Sequence, residues 1–260
     1  MTTELLQPEP AQALGALLGV PVPDLDAGLP LLWHWVYLLD RPAQADLGPD
    51  GHPLRAAPAP GMRRMWAGGR VRTHGTLRCG EPATKRTQVL SVQEKQGRSG
   101  PLTFVVVGHL ITQRGQVVVD EQQDIVYRQR HSGPPENTPQ EVPAGKDEWS
   151  IDITPTLLFR FSALTYNAHR IHYDRDYARD IEGYPGLLTH GPLQALAMAE
   201  AARALGVRGD LLFEYRLTAP LFDHQGMIVR AARDGDTIAT AVRDVYGRVT
   251  GSGVVSVYRD

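Results

Sequence analysis

The runs Phe161-Ser162-Ala163-Leu164-Thr165-Tyr166-Asn167-Ala168-His169-Arg170-Ile171-His172 and Gly183-Tyr184-Pro185-Gly186-Leu187-Leu188-Thr189-His190-Gly191-Pro192-Leu193 gather three of the nine histidines, an asparagine and a glycine-rich helix entry into one short window. Imidazole is the side chain that gains and loses protons near neutral pH. A helix N-terminus behind glycines offers unpaired N–H groups and the positive end of the helix dipole to an anion. A proton carrier beside a cradle for developing negative charge is what chemistry at an acyl thioester requires.

Within that window Gly191 is the candidate oxyanion holder. It opens an apolar helix, and its missing side chain lets a carbonyl come close to the backbone N–H. The competing reading is that Gly183, Gly186 and Gly191 only shape a loop. His172 is the candidate acid/base, against the alternative of a satisfied core histidine beside Ile171. Residues five apart lie about 140° apart on a helix and on opposite faces of a strand. Asn167 and His172 therefore converge only if the chain turns at Ala168-His169-Arg170. An element ending near Thr165, an irregular loop, and a short helix from Asp174 to Arg179 stopped at Gly183 follow from that requirement. His169-x-x-His172 with His190 lacks a carboxylate at ligand spacing, so no metal is expected. There is no G-x-S-x-G elbow, Rossmann glycine motif or P-loop.

The elements that must hold this window fall into two similar halves. His131 to Trp149 carries Pro134, Pro135, Pro139 and Pro143 among polar residues, and reads as a linker (131–149) between an N-terminal half, 1–130, and a C-terminal half, 150–260. In the first half Phe104–Ile111, a turn at Arg114-Gly115, and the runs Gln116–Val119 and Asp124–Tyr127 predict antiparallel strands. In the second, Thr237–Arg243, a turn at Tyr246-Gly247-Arg248 and Val254–Tyr258 repeat the pattern. Pro192–Arg203, rich in alanine, leucine and methionine, predicts a helix apolar nearly all round that something must wrap. Leu31–Leu39 is its expected helical counterpart in the first half. A helix followed by antiparallel strands, twice over, suggests a sheet curled around each helix.

The whole chain has 260 residues, a formal net charge of −2 and a single cysteine, Cys79. The charge leaves no footprint for nucleic acid. One cysteine allows neither an intrachain disulfide nor a thiolate metal cluster. No segment approaches the roughly 20 apolar residues of a membrane span, and the N-terminus has no signal-peptide core. A cytoplasmic protein with no membrane partner is the expectation.

These residues resemble the MaoC-like, or (R)-specific, hydratases and dehydratases. Their motif runs Phe/Tyr-Ser-x-x-Thr-Gly-Asp-x-Asn-Pro-Ile-His, with a later His-Gly opening the central helix. Phe161, Ser162, Thr165, Ile171, His172, His190 and Gly191 fall on it. Tyr166 stands at the glycine, Asn167 at the catalytic aspartate, and His169-Arg170 at the Asn-Pro pair. The Asn-x-His-x-x-His version is similar to the branch of mesaconyl-CoA/itaconyl-CoA hydratases and mitochondrial type-two 3-hydroxyacyl-thioester dehydratases. Trp33-His34-Trp35, Arg64–Arg70, Arg216, Pro220-Leu221-Phe222 and Gly226 also look like that branch. The resemblance implies an α+β double hotdog, two curled antiparallel sheets each wrapping a helix, commonly a homodimer. It implies a hydro-lyase acting on an α,β-unsaturated acyl-CoA, with coenzyme A as part of the substrate and no separate cofactor. A fatty-acid 3-hydroxyacyl-thioester dehydratase, a non-catalytic thioester-binding protein and a thioesterase are the alternatives.

Carried onto this chain, the resemblance makes His172, Asn167 and the Gly191 N–H the catalytic set. An amide cannot take a proton. Asn167 then orients water or imidazole while His172 moves the proton, helped by His169 or Tyr166. If the acyl group is dicarboxylic, its free carboxylate needs a cation, and Arg170, Arg64 and Arg216 are candidates. His190 is a further substrate-binding candidate, better suited to a positional role.

Overall fold

The computed structural model describes residues 1–54, 62–97, 100–128 and 140–258. Its alternating, β-branched runs form ten strands: β1 (Thr2–Leu5), β2 (Arg63–Thr73), β3 (Pro82–Gly97), β4 (Gly100–Gln113), β5 (Gln116–Arg128), β6 (Glu148–Ile151), β7 (Leu211–Leu217), β8 (Met227–Asp234), β9 (Thr237–Arg243) and β10 (Val249–Val257). They make one antiparallel sheet in the order β1-β3-β4-β5-β2-β7-β10-β9-β8-β6. Read outward from its centre, each half repeats the same order of elements. The internal repeat expected from the sequence is therefore a repeat of topology.

The halves are joined by pairing β2 with β7, Gly68 opposite Arg216 and Val71 opposite Phe213. Here β2 also slips register against β5 between Trp66 and Gly68. Gly68 has φ +156°, and a side chain on it would run into the Tyr215 carbonyl. The glycine is what lets two strands pass close enough to seam the halves.

The C-terminal half wraps its helix as expected. α3 (Gly191–Ala204) packs on β8, β9 and β10, with Leu193, Leu196, Ala197 and Met198 fully buried. Its two interior polar side chains are answered: Thr250 Oγ1 donates to Gln194 Oε1 (2.8 Å), and Trp33 Nε1 donates to Glu200 Oε1 (2.8 Å).

The N-terminal half departs from the expectation. Leu31–Leu39 is not an α-helix but a 3-10 turn over Trp33–Val36, bracketed by Leu32 and Leu38 with left-handed φ of 69° and 53°. A right-handed helix cannot run through such residues. The helix of this half is α1 (Pro8–Leu18), which packs against α2 (Pro155–Leu164). Among the described residues no central helix fills this half, and the inward faces of β4 and β5, which give Ile111 and Val119 to the core, also border a cavity at His109, Glu121 and Gln123. The predicted linker is also shorter than its composition suggests at its C-terminal end. Glu148 and Trp149 already belong to β6, where Trp149 pairs with Val229. Pro134, Pro135 and Pro139 lie outside the described residues. Among the described residues no helix is long and apolar enough to cross a membrane.

Candidate active site

The motif loop, 165–172, is built by the end of α2. Thr154 caps its start, accepting a hydrogen bond from the Leu157 N–H (3.1 Å), with Pro155 in the first turn. At its end the Tyr166 N–H donates to Ala163 O (3.3 Å) and the Asn167 N–H to Ser162 O (2.8 Å), with Tyr166 left-handed at φ 51°. This is a Schellman closure, whose left-handed residue is usually glycine. The position where the family motif has glycine thus keeps the glycine conformation, at a cost of about 1–2 kcal/mol for a residue with a Cβ. Asn167 follows directly. Its Oδ1 accepts from the His169 N–H (3.0 Å), which turns the chain. Its Nδ2 is left without a protein partner among the described residues, and the residue lines the cavity.

A 3-10 turn, Arg170–His172, then places His172. The second arm is clamped beside it: the Leu188 N–H donates to Ile171 O (3.0 Å), and the Thr189 N–H donates to Leu221 O (2.7 Å). The turn after His172 is helical, but as a π-helix over Tyr177–Ile181 rather than the short helix expected from Asp174 to Arg179; Asp174 accepts from the Tyr177 N–H (3.0 Å) and Gly183 is left-handed beyond its end. His172 Nδ1 donates to Leu188 O (2.7 Å). Because a carbonyl can only accept, the proton sits on Nδ1 and Nε2 carries the free lone pair. Burial pushes His172 down to about 4; the Leu188 hydrogen bond opposes this, and the charges of His52 and Arg64 add to it. It is a neutral imidazole at neutral pH, able to take a proton.

His190 stands behind it. The two rings stack with centroids 3.6 Å apart, and His190 Nε2 is 2.9 Å from Ser162 Oγ. Complete burial holds His190 well below the usual imidazole range, with His172 adding to the effect. It does not line the cavity but backs the His172 ring. The motif serine is explained by the same contact.

Gly191 begins α3 and borders the cavity. Among the described residues its N–H bonds to no acceptor. A Cβ there would sit 2.6 Å from Leu217 Cδ1 and 3.2 Å from Trp66 Cβ. Leu217 can move aside, so Gly191→Ala should fold. The methyl group would nonetheless occupy the space a thioester needs to reach the N–H. A fall in kcat of about 10- to 100-fold, with little change in melting temperature, is expected from steady-state assays and thermal melts.

The cavity, of about 460 Å³, lies between the halves and is lined from both. Of the three candidate arginines only Arg64 lines it. Burial pushes its guanidinium below the usual arginine range, against a hydrogen bond with Tyr127. No carboxylate pairs with it among the described residues, yet it stays charged. Arg170 is held elsewhere: Nε and Nη2 donate to Asp174 Oδ2 (3.0 and 2.7 Å), and Nη1 to Pro49 O (3.1 Å). Arg216 is exposed on the face of β7 opposite buried Phe213 and Tyr215. Tyr166 reaches the cavity rim, half exposed. His169 lines the cavity 5.4 Å from the His172 ring, and burial holds it far below the ordinary imidazole range. That makes it neutral and a poor base.

Two groups in the cavity were not singled out from the sequence. In the N-terminal half Glu121 is 2% exposed, with Oε2 2.9 Å from His34 Nε2 and Oε1 accepting from Trp35 Nε1 (2.9 Å). Burial pushes its carboxyl up, but the His34 hydrogen bond and the nearby imidazoles outweigh this and hold it at about 2. An acid inside a valine-rich strand was its signal. The second group is Asp50 and His52, in the turn Asp50-Gly51-His52-Pro53. With His169 their ligand atoms lie within 4.8 Å of one another. Asp50 and His52 already hydrogen-bond to each other (3.3 Å), and Arg64 places positive charge near His169. The arrangement is a hydrogen-bonded dyad rather than a ligand set.

Comparison with known proteins agrees with this geometry. The model of the family "hydroxyacyl-thioester dehydratase type 2" matches residues 32–223. Mesaconyl-C(4)-CoA hydratase of Chloroflexus aurantiacus is 45% identical over 254 residues, covering 95% of this chain and 91% of the relative. The crystal structure of HtdX from Mycobacterium tuberculosis superposes with a TM-score of 0.72 at 17% identity, over 99% of this chain and 100% of that one. A second M. tuberculosis structure, described as a double hotdog, has a TM-score of 0.54 at 16% identity, covering 98% and 93%. The fold is a double hotdog in which, among the described residues, the first half has a 3-10 turn at Trp33–Val36 where a central helix was expected. With the motif histidine poised as a base, a free N–H at the head of α3 and a family match spanning both halves, the chain belongs to the type 2 hydroxyacyl-thioester dehydratases, MaoC-like hydro-lyases.

Proposed function

We propose that the protein hydrates mesaconyl-C4-CoA to citramalyl-CoA. The observation that carries this reading is Arg64, a half-buried cation with no carboxylate partner among the described residues, in the cavity that holds His172. In that substrate the β-carbon, where water adds, bears the free carboxylate. An arginine fork near the base is where such a group would be received. The reading is supported by the relative whose name states this activity and which shares 45% of its residues across nearly the whole chain.

In the reaction the thioester oxygen receives the Gly191 N–H as negative charge builds on it. His172 Nε2 takes a proton from the water that attacks the β-carbon. Asn167 offers its Nδ2 to that water. Coenzyme A enters as part of the substrate, and no other cofactor or metal is required. We read the working form as a homodimer in the cytoplasm.

Loss of enoyl-thioester absorbance, followed with mesaconyl-C4-CoA and with crotonyl-CoA, tests the proposal. A site built around a charged substrate group rejects the analogue lacking it. The expected kcat/KM is at least about 100-fold higher for the dicarboxylic substrate. Equal or faster hydration of crotonyl-CoA would instead make the protein a 3-hydroxyacyl-thioester dehydratase of fatty-acid type.

A further inference from the structure

Hydration moves two protons. One leaves water as its oxygen bonds to the β-carbon, and one arrives at the α-carbon as the enolate collapses. His172 accounts for the first. In the family motif a carboxylate stands at position 167, and here it is an amide that can do neither. The rest of the motif loop does not fill the gap, because His169 is held neutral and Tyr166 stands at the rim.

The first half of the chain, however, brings a titratable pair to this place. The turn at Gly51 (φ +86°) lies directly on the motif loop, so close that a side chain there would overlap the Ala168 carbonyl. Arg170 fastens the contact, its N–H donating to Asp50 O (2.9 Å) and its Nη1 to Pro49 O (3.1 Å). The docking sets His52 in the cavity, its ring centroid 3.8 Å from that of His169, which in turn lies 5.4 Å from His172. Asp50 grips His52 twice: Oδ1 accepts from the His52 N–H (3.0 Å), and Oδ2 lies 3.3 Å from Nδ1. A carboxylate on Nδ1 fixes the tautomer and aims Nε2 away from itself.

We propose that His52, oriented by Asp50, is the second proton-carrying residue of the active site and supplies what the amide at position 167 cannot. It rests on the hydratase reading above. His172 Nε2 takes the water proton as the β-carbon–oxygen bond forms and the double-bond electrons move into the enolate. His52 Nε2 gives a proton to the α-carbon as those electrons return, forming the new C–H bond. His172 then carries one proton more and His52 one fewer, and exchange through water resets them. Asp50 is a positioning residue. The other charged and titratable groups around His52 are His169 and His172 on the motif loop and Arg64 on β2.

The test compares His52→Ala, His52→Gln and Asp50→Asn with wild type on mesaconyl-C4-CoA, with folding followed by circular dichroism. Loss of this group should lower kcat by about 100-fold or more while KM stays within about threefold. Added imidazole should restore part of the kcat of His52→Ala, and the pH profile of both His52 variants should lose one limb. Asp50→Asn should fall between these and wild type. Unchanged kcat in folded variants would overturn the proposal and leave the hydratase reading standing. So would a loss that imidazole does not relieve and that leaves the pH profile as in wild type. A stoichiometric metal in the purified enzyme, removed together with activity by a chelator and absent from His52→Ala, would overturn it in favour of a metal site. Wild-type protein inert toward every enoyl-thioester would overturn both the proposal and the reading beneath it.

Discussion

Replacing His172 with alanine is expected to lower kcat by about 1000-fold while leaving the protein folded. Positioned acid–base groups contribute about 100- to 10,000-fold, and the lone pair of this imidazole is fixed by its hydrogen bond to a carbonyl. Its Nδ1–H is given to Leu188 O, its ring is stacked on His190, and its Nε2 is left for the cavity. The same residue sets the pH dependence. With His172 held at about 4, kcat/KM for hydration should fall about tenfold per unit once pH drops below that value, because the protonated ring cannot accept the water proton. Arg64 is one of the charges holding His172 down. A bound carboxylate that neutralises Arg64 should therefore move the limb seen in kcat to higher pH than the limb in kcat/KM. Steady-state kinetics from about pH 3.5 to 8, within the range where the fold survives, measure both. A full-rate His172→Ala enzyme would remove this residue from the chemistry.

Arg64→Leu should separate substrates rather than abolish catalysis. A buried charge that loses its partner costs about 2–5 kcal/mol, and here the partner is a carboxylate on the carbon under attack. We expect kcat/KM for mesaconyl-C4-CoA to fall by about 30- to 1000-fold. Crotonyl-CoA, which has a methyl group in place of that carboxylate, should keep its rate within about threefold. Arg64→Lys should recover only part of the loss, since an ammonium does not present the planar fork of a guanidinium. Arg170→Leu supplies a contrast. Its side chain is bound to Asp174 and Pro49, so its loss should loosen the docking of the 48–54 turn and slow both substrates alike. Initial rates with the two thioesters read all of these. An Arg64→Leu enzyme slowed equally on both would remove Arg64 from carboxylate recognition.

Much of the site was legible because its making is local. Ser162, Thr165, Asn167, His172 and Gly191 are set by a helix end, a left-handed closure at Tyr166, an Asx turn and a helix start, all governed by residues within a few positions of each other. The strands with their glycine turns, and α3 with its apolar circumference, were legible for the same reason. The curled sheet around α3 follows from the need to cover that helix.

Other features turned on long-range contacts. Arg64 and Arg216 both lie on strands and read alike; the pairing of β2 with β5 at Arg64, before the slip at Trp66/Gly68, and the pleat of β7 put one on the cavity and the other in solvent. Leu31–Leu39 has the composition of a short buried helix. Left-handed residues at both its ends leave a 3-10 turn and open the space that β4 and β5 border. Asp50 and His52 are over a hundred residues from the motif, and nothing in their spacing points to it. The motif residues were fixed by the chain's own short-range chemistry, because hydrogen bonds within a turn need no distant partner. Which arginine lines the cavity, and which pair stands beside His169, was decided only when the two halves closed on each other.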